Sequence, residues 1–173
     1  MRVAMIQMDM QLGKPEANFE KAEKLVRVAA ELKPDVITLP ETWNTGFFPR
    51  ENLKEASDVD LEQTKKLFSR LAKEYRVNII AGSVANCRDE KIYNTAAVFN
   101  RDGEVVMEYD KVHLFSPSGE HEYFEHGKNI CNFELDGIPC SLVICYDIRF
   151  PELIRSEMLA GSKVQFVVAQ WPD

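Results

Sequence analysis

The sequence predicts an α/β fold in which helices cover one face of a β-sheet. The first observation is that strand-like and helix-like hydrophobic patterns alternate along residues 2–85. The second is that 45% of the residues are hydrophobic and 28% are charged, which is typical of an ordinary globular domain. The third is the length of 173 residues, at which a chain buries roughly 70% of its unfolded surface. We therefore expect one domain over residues 1–173.

The first half of the chain predicts the order strand, helix, strand, helix, strand. Alternating apolar residues over 2–8 predict a largely buried opening strand. An apolar stripe that follows Pro15 predicts an amphipathic helix, and residues 35–39 predict a short buried strand. A second stripe over residues 61–75 predicts another helix, and residues 77–85 predict the next strand. Connections of this kind place the helices together on one face of a sheet.

The second half of the chain predicts two hairpins. Residues 91–99 and 104–109 flank a turn that contains Gly103, and glycine readily accepts the positive φ of such turns. Residues 132–135 and 140–145 flank a second turn. These strands extend the predicted β-structure beyond the helical half of the chain.

Between and after the hairpins lie a long loop, a helix and a final strand. Residues 116–128 are too long and too polar for an ordinary connection, and loops of this kind tend to carry function. Pro151 predicts the start of a short helix that runs to Ala160. Residues 164–169 predict another buried strand.

Charge and hydropathy exclude several classes of partner. The chain has 21 Lys and Arg residues against 28 Asp and Glu residues, a net charge of −7, whereas nucleic-acid binding needs clustered cations. No apolar run approaches the roughly 20 residues of a membrane span. Polar residues interrupt the N-terminus too early for a signal peptide, so we expect a cytoplasmic protein with neither nucleic acid nor membrane as a partner.

Cysteines and histidines do not form a familiar metal pattern. The four cysteines include no C-x-x-C pair, and a reducing compartment disfavours disulfides. His113, His121 and His126 lie close together in sequence but lack the H-x-x-x-H spacing of a helical zinc site. We expect no metal and no cofactor, with a zinc hydrolase that uses these histidines and a cysteine as a rival hypothesis.

Cys145 occupies a position that suits a nucleophile. An apolar strand runs into Cys145, a short polar turn follows, and a helix begins at Pro151. A side chain at such a turn is presented at the end of the sheet, where backbone N–H groups can receive an anion. The alternative is a buried cysteine that only fills space, as we expect for Cys140, which alternation places on the opposite face of the strand.

Glu41 and Lys111 complete a possible set of catalytic groups. Each follows a predicted strand in an apolar or aromatic context, as Cys145 does. A carboxylate, an ammonium and a thiol together can perform acyl transfer: the carboxylate takes the thiol proton, the sulfur attacks a carbonyl or nitrile carbon, and the ammonium stabilises the negative charge.

Three segments resemble the blocks of the nitrilase superfamily of carbon–nitrogen hydrolases. They are LPETWNTGF (residues 39–47), YDKVHLF (residues 109–115) and CYDIRFPEL (residues 145–153), in the order of the family. The resemblance implies a four-layer α-β-β-α sandwich. It also implies that residues 1–173 hold the N-terminal and central part of the family domain, with the sandwich incomplete at the C-terminus.

The resemblance implies roles for individual residues. Glu41 corresponds to the base, Lys111 to the residue that stabilises the oxyanion and Cys145 to the nucleophile, while the backbone N–H of Tyr146 completes the oxyanion hole.

A second glutamate assists in many members of this family. Glu120 is the better match to it and Glu122 the weaker one.

Residues 43–47, together with residues 114–115 and 119–121, most resemble the ω-amidase and related Nit-type branch. Such enzymes hydrolyse short dicarboxylic acid monoamides through a cysteine thioester and release ammonia. Arg149 is the candidate for binding the substrate carboxylate, and a structural ion pair near Glu41 or to Asp147 is the alternative for this side chain. A nitrilase or N-carbamoyl hydrolase with an amide or nitrile substrate, and a truncated non-catalytic assembly protein, remain other hypotheses.

The helix after the nucleophile predicts self-association. Leu153, Ile154, Met158 and Leu159 give it a broad apolar surface that one sheet covers only in part. Relatives in this family commonly pair through this helical face, so we expect a homodimer or a higher homo-oligomer.

Overall fold

Two β-sheets lie face to face in the computed structural model, which describes residues 1–47 and 49–171. The strands are β1 (Val3–Met5), β2 (Val36–Thr38), β3 (Asp58–Val59), β4 (Asn78–Arg88), β5 (Lys91–Phe99), β6 (Val105–Asp110), β7 (Asn132–Leu135), β8 (Ile138–Ile144) and β9 (Val164–Val168). The helices are α1 (Pro15–Glu31), α2 (Leu53–Ala56), α3 (Glu62–Tyr75) and α4 (Pro151–Leu159). Short 3-10 turns span Ser116–Ser118, Glu120–Glu122 and Cys145–Arg149.

The first sheet has the strand order β1-β2-β4-β5-β6, with β3 paired to the end of β4. Strands β1, β2 and β4 are parallel because α1 and the α2–α3 segment provide the crossovers between them. Strands β5 and β6 continue the sheet as antiparallel neighbours, joined by the predicted turn at Gly103. The second sheet has the order β7-β8-β9, in which β7 and β8 are antiparallel and β8 and β9 parallel.

The layers follow the order helix, sheet, sheet, helix. One hydrophobic core lies between the first sheet and helices α1 and α3. A second core lies between the two sheets and includes Ile80, Val98, Leu142 and Ile144. Helix α4 packs against β8 on the outer face of the second sheet. The α-β-β-α arrangement expected from the resemblance is therefore confirmed. None of the described helices is long and apolar enough to cross a membrane.

Three local expectations differ from the structure. Strand β9 has one buried residue, Val168, and Val167 is 41% exposed, so the prediction of a buried strand over residues 164–169 is wrong. The opening strand covers only Val3–Met5, and the side chains of Val3 and Met5 are 38% and 80% exposed, so the prediction of a largely buried strand over residues 2–8 is wrong. The reason is that β1 pairs only with β2 and forms the edge of the sheet. Elements α2 and β3 were not predicted, because four and two residues are too short to show a hydrophobic period.

Candidate active site

Four side chains that are far apart in sequence meet next to the core between the sheets. Glu41 follows β2, Lys111 follows β6, Glu120 lies in a 3-10 turn and Cys145 follows β8. The Lys111 ammonium nitrogen Nζ lies 2.8 Å from Glu41 Oε1 and 2.9 Å from Glu120 Oε2, and all three side chains are buried. The Cys145 thiol interacts with the Glu41 carboxylate. The structure thus brings together the four residues proposed from sequence as catalytic.

The segment that carries Glu41 is anchored by its neighbour Trp43. The Trp43 ring is fully buried and its Nε1–H donates to the carbonyl of Ala81 over 2.6 Å. Burying a side chain of this size contributes about 3 kcal/mol. Gly82 lets the strand approach this segment, because a Cβ atom there would lie 2.0 Å from the carbonyl oxygen of Pro40. The chain just before Glu41 can therefore lie directly on β4.

Lys111 is held by its backbone on both sides. Its N–H donates to the carbonyl of Asn94 on β5 over 2.9 Å, and its carbonyl accepts from the N–H of Gly127 over 2.8 Å. A Cβ atom at position 127 would lie 1.9 Å from the carbonyl oxygen of Asp110, so only glycine permits this approach. The long loop over residues 116–128 therefore folds back onto Lys111 and holds its backbone.

Cys145 lies just outside β8 in a left-handed backbone conformation. Its φ is +48°, in a region that a residue with a side chain seldom occupies. Cys140 and Cys145 both contact the core between the sheets, so the expectation that they lie on opposite faces is wrong. Strand alternation ends at Ile144, and the turn sets the direction of the Cys145 side chain.

Burial and charge keep the Cys145 thiol protonated at neutral pH. Burial raises the pKa of the thiol, and the Glu41 charge raises it further against the opposing effect of Lys111, to about 12. A nucleophilic thiolate therefore requires a base that accepts the proton during attack. Glu41 is the carboxylate in contact with this thiol.

Lys111 keeps its proton in spite of its burial. Burial lowers the pKa of the ammonium, but the charges and hydrogen bonds of Glu41 and Glu120 outweigh this effect, and the pKa is raised overall. The site therefore holds a permanent positive charge beside the thiol, which can stabilise a developing oxyanion.

Asn94 belongs to the site, and the sequence reasoning missed it. Its Nδ2 donates to Glu41 Oε1 over 3.0 Å and to Glu120 Oε1 over 3.1 Å, while its Oδ1 is buried with no hydrogen-bond partner in the described structure. The backbone N–H of Gln170 donates to Glu41 Oε2 over 3.1 Å. One signal for Asn94 was available, because an amide within a predicted strand needs a polar partner wherever that strand is buried.

The turn after Cys145 places Tyr146 and Arg149 at the surface side of the site. The Tyr146 ring packs edge-on against Phe115, with ring centroids 5.0 Å apart. The exposed Arg149 guanidinium lies 5.4 Å from the centre of the Trp171 ring. Within residues 1–47 and 49–171, no ion pair joins Arg149 to Glu41 or to Asp147, so the alternative considered for Arg149 is wrong.

The two candidates for the second glutamate differ in their surroundings. Glu120 is buried and its Oε2 also accepts from the N–H of Phe115 over 2.5 Å. Glu122 is exposed. Glu120 is therefore the glutamate that contacts Lys111.

The three histidines make separate contacts. His113 Nδ1 lies 2.9 Å from Asp147 Oδ1, His126 Nδ1 lies 2.8 Å from the carbonyl oxygen of Val112, and His121 is exposed. Within the described part of the chain, no group of three His, Cys, Asp or Glu residues is placed to hold a metal ion.

Comparisons with known proteins agree with this architecture. The 2-oxoglutaramate amidase of Bacillus subtilis (strain 168) is 40% identical over 170 residues, an alignment that covers 98% of this chain and 65% of that enzyme. Omega-amidase NIT2 of Homo sapiens is 33% identical over 161 residues, covering 89% of this chain and 58% of that enzyme. The chain thus spans less than two thirds of these relatives.

A solved structure shows the same fold. Nit3 of Saccharomyces cerevisiae, described as a member of branch 10 of the nitrilase superfamily, superposes with a TM-score of 0.88 at 24% identity. The superposition covers 98% of this chain and 64% of Nit3. The family model for carbon-nitrogen hydrolases matches residues 2–173. The α-β-β-α sandwich, the three sequence blocks and this match lead to one conclusion: the chain belongs to the carbon-nitrogen hydrolase family.

Proposed function

We propose that this chain carries the catalytic site of an amide hydrolase in which Cys145 is the nucleophile. The observation that supports the proposal most strongly is a protonated, buried thiol in contact with a carboxylate that is itself paired to a buried ammonium. An ion pair with only a structural role would be unfavourable here, because removing the charges of Glu41 and Lys111 from water costs free energy of folding.

The first half-reaction forms a thioester. Cys145 Sγ attacks the amide carbon as its proton passes to Glu41, and the carbonyl π electrons move onto oxygen. The Lys111 ammonium and the N–H of Tyr146 stabilise this oxyanion. When the intermediate collapses, the C–N bond breaks and the nitrogen takes the proton from Glu41, so that ammonia leaves.

The second half-reaction releases the acid. Glu41 takes a proton from water, the hydroxide oxygen attacks the thioester carbon, and the C–S bond breaks. The sulfur recovers the proton and the site returns to its starting state. Glu120 holds Lys111 and Asn94 holds Glu41 throughout, since these pairs are hydrogen-bonded at rest.

For the substrate we propose a dicarboxylic acid monoamide. The names of the Bacillus subtilis and human relatives support an ω-amidase type of activity. Arg149 is exposed at the end of the 3-10 turn that begins at Cys145, so its guanidinium can bind the distal carboxylate. A small molecule is then the partner of this site, in a protein that we propose to be cytoplasmic and without a cofactor.

The test is ammonia release from a matched panel of compounds. The panel contains 2-oxoglutaramate, a neutral amide of the same length, a nitrile and an N-carbamoyl amino acid. We expect release from the monoamide, and intact-mass spectrometry after brief exposure should show an acyl adduct that is absent from Cys145→Ala. Faster ammonia release from the nitrile or from the carbamoyl compound would show that the substrate belongs to that class and is not a monoamide. No adduct and no ammonia from any compound would favour the non-catalytic alternative.

Binding of the substrate carboxylate by Arg149 can be tested separately. Arg149→Met should raise KM for the monoamide about tenfold or more, which corresponds to about 1.4 kcal/mol, and leave KM for the neutral amide unchanged. An equal effect on both substrates would show that Arg149 has no part in binding the carboxylate.

A further inference from the structure

We propose that Asp147 is a positioning residue that holds Cys145 in its left-handed conformation and fixes it relative to Lys111. The inference rests on the proposed function, because it assigns a means by which the nucleophile and the ammonium keep their geometry. Asp147 is fully buried, and within the described structure its carboxylate pairs with neither Lys111 nor Arg149.

The Asp147 carboxylate has hydrogen-bond partners on three residues. Its Oδ1 accepts from the backbone N–H of His113 over 2.8 Å and lies 2.9 Å from His113 Nδ1. Its Oδ2 accepts from the Tyr109 hydroxyl over 2.8 Å and from the N–H of Ile144 over 3.1 Å. Both oxygens therefore have two partners, as a buried carboxylate requires.

The hydrogen-bond partners of Asp147 lie close in sequence to Lys111 and Cys145. Tyr109 and His113 lie two positions before and two positions after Lys111, and Ile144 directly precedes Cys145. One carboxylate therefore connects the chain around the ammonium to the chain around the thiol.

The backbone of Cys145 needs such a support. A φ of +48° is unfavourable for a residue with a Cβ atom, and such conformations persist only where the surroundings hold them. The bond from the Ile144 N–H to the Asp147 carboxylate closes the chain across Cys145. Loss of this bond would allow Cys145 to relax to a negative φ, which redirects its side chain.

The far end of the same turn is also attached to the Lys111 segment. The His113 ring stacks on the Phe150 ring, with centroids 3.6 Å apart and an angle of 7° between the planes. Both ends of the turn that contains Cys145 are thus held against one neighbouring segment.

The Tyr109 hydroxyl remains a donor at all ordinary pH values, because burial and then the charge of Asp147 raise its pKa.

The experiment compares Asp147→Asn with a matched control, Asp58→Asn. Asp58 is also buried, in β3, and its carboxylate accepts from the backbone N–H groups of Gln63 and Thr64 at the start of α3. The amide in Asp147→Asn keeps the size of the side chain and loses one of the two acceptor oxygens. We expect kcat for the monoamide to fall by roughly 10²-fold with KM within about twofold, whereas Asp58→Asn retains the parent kcat.

A second readout is independent of turnover. The rate of Cys145 alkylation by iodoacetamide is measured by peptide mass spectrometry from pH 7 to pH 9.5. In the parent and in Asp58→Asn, the raised pKa of Cys145 keeps this rate low across the range. In Asp147→Asn the released thiol should approach the ordinary pKa of about 8.5, so that alkylation at pH 9 is at least about tenfold faster.

A milder variant keeps the proposal testable where Asp147→Asn fails to fold. Tyr109→Phe removes only the hydroxyl bond to Asp147 and should shift kcat and the alkylation profile in the same direction, by a smaller factor. A folded Asp147→Asn or Tyr109→Phe protein with the parent kcat and the parent alkylation profile would overturn the positioning role. Failure of the proposed function is a separate result, because the parent would then release no ammonia while the alkylation comparison still holds.

Discussion

The side-chain amide of Asn94 lies 3.0 Å from Glu41 Oε1, although the two residues are 53 positions apart. The same amide nitrogen donates to Glu120, so one neutral side chain spans the two carboxylates that flank Lys111. Glu41 Oε1 therefore faces Asn94 and Lys111, while its Oε2 faces the N–H of Gln170. This arrangement orients the carboxylate that contacts the thiol.

We expect Asn94→Ala to lower kcat by about tenfold to a hundredfold. The substitution removes two hydrogen bonds to charged groups, each of which is worth roughly 1.5–3 kcal/mol, and it lets the Glu41 carboxylate rotate. Steady-state kinetics measure the effect. Asn78→Ala is the control, because Asn78 is a buried amide on the same sheet that bonds to Asp35 and Asp136. Equal kcat values for the two variants would contradict the orienting role.

Cys145→Ala should abolish hydrolysis, whereas Cys140→Ala should leave the chemistry largely intact. Both thiols contact the core between the sheets, but only the Cys145 thiol contacts Glu41. Ammonia release by both variants at matched concentration is the measurement. Full turnover by Cys145→Ala would refute the thioester mechanism.

Lys111→Met should lower kcat by roughly 10² or more, the scale for loss of one oxyanion donor. The same change leaves two buried carboxylates without their cation, which we expect to lower the free energy of unfolding by about 3–5 kcal/mol. Lys111→Arg should also fail, because a planar guanidinium does not fit between Glu41 and Glu120 as a compact ammonium does. Kinetics and urea unfolding together test this assignment, and near-parental activity of Lys111→Arg would show that it is wrong.

Glu157 makes the stability of the fold depend on pH. Burial raises the pKa of this carboxyl from 4.5 to about 7, against the opposing effect of the hydrogen bond from the Cys131 N–H. Between these two values the folded state binds more protons than the unfolded state, so stability falls as pH rises through this window. The contribution is fully present below pH 4.5 and lost above pH 7.

Glu157→Gln should remove this dependence, because the amide keeps an acceptor for Cys131 and cannot ionise. Urea unfolding of the parent and the variant from pH 4.5 to pH 8 gives the difference in free energy. We expect the parent to lose up to about 1.4 kcal/mol per pH unit relative to Glu157→Gln within the window and nothing further above it. Parallel curves would mean that Glu157 is ionised in the folded protein throughout.

Helix α4 carries the surface that we propose for self-association. Leu153 packs inward, whereas Met158 and Leu159 are 37% and 76% exposed. Ile154→Asp and Leu159→Asp should therefore weaken a homodimer, which light scattering at micromolar concentration detects. Lys163→Asp is a control for added negative charge outside the helix. A fully active, monodisperse parent monomer would overturn the dimer.

Local patterns in the sequence were sufficient for elements whose contacts are close along the chain. Helix α1 begins at Pro15 as its apolar stripe predicts, and the β5–β6 hairpin forms around the predicted turn at Gly103. Exposure could not be predicted in the same way. Met5 has the pattern of a buried residue, but its side chain is exposed because β1 lies at the edge of the sheet, a position that depends on the pairing of distant strands.

Three short blocks of sequence were enough to predict the family, its α-β-β-α fold and the residues that can perform the chemistry, because those residues lie within or beside the blocks. The distances between these residues and their protonation states required the folded structure. Lys111 and Glu41 are 70 residues apart, and their pairing depends on how β2 and β6 are placed in one sheet. The protonated thiol of Cys145 and its left-handed backbone have the same origin. The pKa of the thiol depends on burial and on the charge of Glu41, which is distant in sequence. The positive φ of Cys145 depends on the contacts that hold the turn after β8.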